Sequence, residues 1–195
     1  MAKIMSVITV LILIFTLASS CYAQEGNLSD KNEFPLTDLY GLSDPPKDGL
    51  YKVKDVTIKF IPPAGWLYAG TMMGNIKFMP RGDSLITSLN IFCFFKVVSN
   101  DAEWQENINN TREIMGRSPV YLNTEIINFA NTKALSSVVD TDGLKARQIE
   151  FFKNGIGFML NFTAEEQDFD KFLPVVEESF KSFEIISPAP EQSGS

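Results

Sequence analysis

The chain contains no histidine. Ser and Cys hydrolase triads take their general base from that residue, and it is the commonest zinc ligand, so both classes lose their usual centre. A reactive thiol needs an accessible, electropositive setting; Cys93 sits in the apolar run Leu85 to Val98 and reads as a small buried hydrophobe. Asp140-Thr141-Asp142-Gly143 offers two carboxylates, but a calcium loop draws six or more oxygens from a longer span with a closing Glu. Asp140 and Asp142 therefore remain the only metal candidates, and the segment is better read as a turn. The acidic run Glu165-Glu166-Gln167-Asp168 with Asp170 is better placed to solvate a loop and to put negative charge at a helix N-terminus than to hold a cation. Gly155-Ile156-Gly157 lies inside a hairpin and not between strand and helix, so it is no phosphate loop. Asn27-Leu28-Ser29, Asn109-Asn110-Thr111 and Asn161-Phe162-Thr163 match the N-glycosylation pattern, the last inside a predicted strand. No catalytic residue, cofactor-binding residue or cofactor is assigned.

The net charge of −7 over 195 residues excludes a nucleic-acid partner, because neutralising phosphate takes clustered Lys and Arg. The N-terminus points to export. Lys3 precedes an uncharged stretch from Ile4 to Ala18, the order of a secretory signal, and Cys21-Tyr22-Ala23 before Gln24 places the cut between Ala23 and Gln24. A competing reading makes Cys21 the lipidated first residue of a lipoprotein, with Leu17 one place out of register. An uncleaved anchor is the third, since a span needs about twenty apolar residues. The protein is thus expected outside the cytoplasm, periplasmic or secreted. It meets a membrane only if Cys21 is lipidated or the signal is retained. Without Cys21 no intrachain disulfide can form, so the core must hold the fold.

The organisation follows as a signal at 1–23, a polar Pro-broken arm at 24–50, one domain at 51–187 and a tail at 188–195. Val56, Ile58 and Phe60 alternate with polar residues and mark a strand that Pro62-Pro63-Ala64-Gly65 stops, with Trp66 packing under the turn. Asn75 to Met79 is a short strand. Leu85 to Val98 is apolar on both faces, as a central strand covered on both sides should be. Asn100-Asp101-Ala102-Glu103 has the spacing of a cap, and Trp104, Ile108, Thr111 and Met115 follow at helical intervals. Ile126 to Phe129, Ala134 to Val139, Lys145 to Phe152 and Ile156 to Thr163 are strands, the last three joined by Asp-Gly and Asn-Gly hairpins. Phe169 to Phe183 is a helix with a broad aromatic face; Pro174 fits its first turn if Asp170 caps it.

Val56-Thr57-Ile58-Lys59-Phe60 running into Pro63-Ala64-Gly65-Trp66, a closing hairpin, an acidic break and Glu178-Ser179-Phe180-Lys181-Ser182-Phe183 resemble the PsbP-like superfamily over Tyr51 to Ile186. The resemblance implies an α+β fold, an antiparallel sheet with helices packed on both faces in an α/β/α sandwich. It also implies an exported or lumenal accessory protein without enzymatic activity; some members are bacterial lipoproteins, and the plant members attach to photosystem II and help it retain calcium and chloride. This chain departs from the plant members in lacking His and a basic docking arm, which points to a bacterial relative with another partner. The expected function is that of a non-catalytic exported accessory or binding domain acting on an envelope protein or complex. It would use a sheet face, a pocket beneath Trp66 or the arm 24–50. The alternative is a small-molecule or divalent-cation module with an apolar pocket between sheet and helix, Trp66 or Trp104 at its mouth.

Overall fold

Three two-residue hairpin turns organise the C-terminal half of the chain. Ala130-Asn131, Asp142-Gly143 and Asn154-Gly155 all have positive φ at both positions, the twist that matches neighbouring antiparallel strands. They join β6 (Tyr121–Phe129), β7 (Thr132–Thr141), β8 (Leu144–Lys153) and β9 (Ile156–Glu165) into one meander. In the computed structural model, which describes residues 41–53, 55–72, 74–82, 86–95 and 101–187, β9 then pairs with β5 (Ser88–Phe95). The sheet continues through β4 (Asn75–Met79) to β3 (Leu67–Met72), in the order β3-β4-β5-β9-β8-β7-β6, antiparallel throughout.

The expected sandwich is present. Alternation along the strands sends Leu89, Ile91, Ile149, Phe151, Phe158, Leu160 and Phe162 to one face, where α2 (Glu166–Lys181) covers them with Phe169, Val176 and Phe180. Phe152 and Leu135 point the other way and meet Trp104, Ile108 and Met115 of α1 (Asp101–Met115). The sequence reading lacked a second sheet. β1 (Leu50–Val53), β2 (Val56–Lys59) and β10 (Glu184–Ser187) form it in the order β1-β2-β10, adding Tyr51, Val53, Val56 and Ile58 to the core on the α2 side.

Pro174 is the clearest local correction. The helix starts at Glu166, so the proline lies in its interior and Asp170 is no cap. The acids Glu166 and Asp168 in the first turn suit the N-terminal dipole, and Lys145 Nζ donates to Glu166 Oε1 at 2.7 Å, which anchors this earlier start to β8. β3 is also new to the description: Gly70, at φ 91, sits in a register shift between Tyr68 and Thr71 that breaks its alternation. Trp66 is buried beside β9 and α2, its ring centroid 6.3 Å from Phe162 and 5.7 Å from Phe172.

Candidate functional site

The sheet face under α1 carries a feature that the α2 face lacks. Register places Lys77, Asn90, Asn161, Gln148, Ser137 and Thr124 at directly opposed positions of β4, β5, β9, β8, β7 and β6, a transverse row of polar side chains across six strands. Asn90, Asn161, Gln148 and Ser137 are each under a tenth exposed. Desolvated amides must find partners, and these do so along the strands as well as across them. Gln148 Nε2 donates to Asn161 Oδ1 at 3.2 Å, and Asn161 Nδ2 donates to Thr163 Oγ1 at 3.0 Å. A parallel relay runs from Asn75 Nδ2 to Asn90 Oδ1 at 3.2 Å and from Asn90 Nδ2 to Ser88 Oγ at 3.1 Å.

Both ends of this array hold oxygens that no hydrogen bond satisfies: Asn75 Oδ1 and Thr124 Oγ1 are buried without a partner. Beside the row lies Glu150, one step along β8 from Gln148 on the same face, opposite Leu135 on β7 and Met159 on β9. Burial raises its carboxyl to about 7, with no charge partner contributing. Its own charge acts in turn on the Tyr121 phenol, which burial and then Glu150 push up to about 12. Phe92 and Phe94, half-buried and stacked with centroids 6.0 Å apart, close the β5 side of the same face.

Gly157 determines how closely α1 approaches. A Cβ there would meet the Phe152 ring at 2.8 Å, and Phe152 in turn holds the Trp104 indole at 5.4 Å between centroids. Trp104 Nε1 donates to Lys133 O at 3.2 Å. Asp101 has a role that the capping reading did not foresee: its two carboxylate oxygens accept from Asn154 N at 2.9 Å and Gly155 N at 3.1 Å, tying the start of α1 to the β8–β9 hairpin. Neither indole stands at a pocket mouth as expected, since Trp66 and Trp104 are both buried among aromatic rings.

The residues singled out from sequence fall elsewhere. Asp142 occupies a left-handed position of the β7–β8 turn. The hydrogen bond that Lys145 donates to Glu166 is the main cause of the raised Lys145 pKa, with Asp170 and then Asp140 adding to it, so Asp140 already faces an ammonium where a cation would be sought. Among the described residues no group of three or more His, Cys, Asp or Glu is placed to hold a metal ion. Cys93 is buried on the α2 face, and desolvation pushes its thiol up to about 12, which keeps it protonated and inert. Asn161, in one glycosylation pattern, is a buried member of the row, whereas Asn109 is exposed on α1. Cys21, Ala23, Gln24, Asn27 and the tail 188–195 lie outside the described residues. Among the described residues no helix is long and apolar enough to cross a membrane.

The row escaped sequence reading because Gln148, Ser137 and Thr124 look like solvent-facing residues of half-buried strands. The Asp-Gly and Asn-Gly turns held the missing signal. Counting outward from each places Gln148 opposite both Ser137 and Asn161.

No protein-family model matches the chain, and no curated protein matches it. Solved structures do. A crystal structure from Bacteroides thetaiotaomicron is 15% identical with a TM-score of 0.45, covering 68% of this chain, which spans only 46% of that one. A Pseudomonas aeruginosa protein of unknown function, described as a putative regulator, is 15% identical at 0.43 over 72% of this chain and 96% of its own. The solution structure of the cyanobacterial PsbP from Synechocystis is 12% identical at 0.43, covering 74% and 91%. With each of these the chain is similar in the path of its backbone and no further.

Proposed function

We propose that this chain is an exported, non-catalytic binding domain that engages an envelope protein or complex through the sheet face that carries the polar row. The observation that carries the reading is the contrast between the two sheet faces. The α2 face and the second sheet already supply a continuous aromatic and aliphatic core, whereas the α1 face keeps Asn90, Asn161, Gln148 and Ser137 where apolar residues would pack at lower desolvation cost. Such a row supplies amide and hydroxyl groups on a rigid strand lattice, which suits recognition more than bond making.

The test is capture from envelope extract by the wild-type chain and by Gln148→Leu/Asn161→Leu. The apolar pair should preserve folding by circular dichroism and abolish capture. Equal capture by both chains, or turnover of an envelope substrate that is abolished when Glu150 is replaced by Gln, refutes the reading.

A small-molecule role is the second reading, favoured by the unpartnered buried oxygens of Thr124 and Asn75. A melting shift on ligand screening, by mass action on the folded state, is its signature.

A further inference from the structure

The sequence contains one Asn-Gly pair, Asn154-Gly155, and the fold places it at an exposed two-residue turn. That pair carries its own chemistry. Once the Gly155 amide nitrogen has lost its proton it can attack the side-chain amide carbon of Asn154, a path that no Cβ on the glycine obstructs. The new N–C bond closes a succinimide ring as ammonia leaves, and water then opens the ring at either carbonyl. Nothing is oxidised or reduced. The products are aspartate and isoaspartate, the second with its main chain routed through the side-chain methylene.

Asp101 governs whether the attack can begin. Its Oδ1 accepts from Gly155 N at 3.1 Å and its Oδ2 from Asn154 N at 2.9 Å. The hydrogen bond favours the protonated nitrogen, and a carboxylate beside it opposes the amide anion that must form. The same contact fastens the start of α1, ahead of Trp104, to the β8–β9 hairpin. A product carboxylate at residue 154 meets the Asp101 charge there, and the neighbouring cation does not offset it, because Lys153 Nζ donates to Ala130 O of the β6–β7 turn. The turn itself accepts an aspartate: Asp142-Gly143 adopts the same left-handed pair with Asp in the equivalent place.

We propose that Asn154 is a self-modifying site gated by Asp101. While the start of α1 is docked, deamidation is suppressed; once it lifts, the aspartate or isoaspartate formed keeps it from docking again. Aspartate acts by like charge against Asp101, and isoaspartate also lengthens the main chain of a turn that two residues close. Loss of ammonia makes the change one-way.

Peptide mass spectrometry of the folded chain held at pH 8.5 follows the conversion, with chromatography separating aspartate from isoaspartate. Residue 154 should deamidate about fivefold or more faster in Asp101→Ala than in wild type, and the two rates should coincide in urea, where no helix is docked. Asn154→Asp installs the charge without the wait. It should weaken the near-ultraviolet signal of Trp104 and lower the urea midpoint in the otherwise wild-type chain, and do neither in the Asp101→Asn background. Equal rates in folded wild type and Asp101→Ala, a wild-type rate as fast in buffer as in urea, or an Asn154→Asp effect of the same size in both backgrounds overturns the proposal.

Discussion

Replacing Glu150 by Gln should make the protein more stable, and only at neutral and alkaline pH. The carboxyl is raised from 4.5 to about 7 by burial. The folded state therefore holds the proton more tightly than the unfolded chain, and folding is penalised wherever the group is ionised. The penalty is absent below the unfolded value of 4.5, grows as pH rises toward 7 and is complete above it. A shift of that size corresponds to about 3 kcal/mol at 1.36 kcal/mol for each pH unit. Partial exposure of the residue lets water ease the desolvation, so about 2 kcal/mol is the expected gain at pH 8.5, with ~3 as its ceiling. Urea titrations of wild type and Glu150→Gln at pH 4.5 and 8.5 read it directly. With a slope of about 2 kcal/mol/M, the variant's midpoint should rise by ~1 M at pH 8.5 and coincide with wild type at pH 4.5. A gain equal at both pH values, or a variant less stable at pH 8.5, would show that the carboxyl is not desolvated as the structure places it.

Gly157→Ala forces the Phe152 ring away from β9 and unseats Trp104; a loss of about 1–3 kcal/mol and a changed near-ultraviolet tryptophan signal are expected. Asp101→Ala frees two hairpin amides and the start of α1, costing about 1 kcal/mol in thermal or chemical melts. The Arg147 side chain is 12% exposed and donates from Nε to Glu177 Oε1 at 2.6 Å and from Nη1 to Ser136 Oγ at 2.9 Å, locking α2 to β7 and β8. Arg147→Met should lose about 2 kcal/mol, and adding Glu177→Met should recover most of it, because the cost lies in the carboxylate left behind. Phe180→Ala, in the middle of the α2 face, should cost about 3–5 kcal/mol.

The parts of the fold that local chemistry governs were legible from the residues. Asp142-Gly143 and Asn154-Gly155 announce their turns, and Trp104, Ile108 and Met115 announce the buried stripe of α1. The parts that long-range pairing governs were not. β10 is four residues directly after a helix, and only β2, from the other end of the domain, makes it a strand. Ala130-Asn131 adopts the same left-handed pair as its Gly-containing counterparts without a glycine to signal it. Pro174 reads as a first-turn residue until the acids and the Lys145 contact start the helix eight residues earlier. For the site, hydropathy places Glu150 in water, and only its strand neighbours reveal that it is not.

The small sheet also sets an order of events for a chain that emerges from its N-terminus. β6 to β9 close through two-residue turns, so each strand can zip onto its predecessor as it appears, a low-contact-order process. β2 must instead wait for β10, where Ile58 meets Ile185, and for Ser182, whose Oγ accepts from Ile61 N at 2.8 Å across 121 residues. Until that end arrives, the edge of β2 that β10 occupies keeps its backbone amides and carbonyls unpaired, a template on which another chain can add a strand. Trimming the chain past Phe183 would leave that edge open for good, turning a closed end of the small sheet into a site of edge-to-edge association.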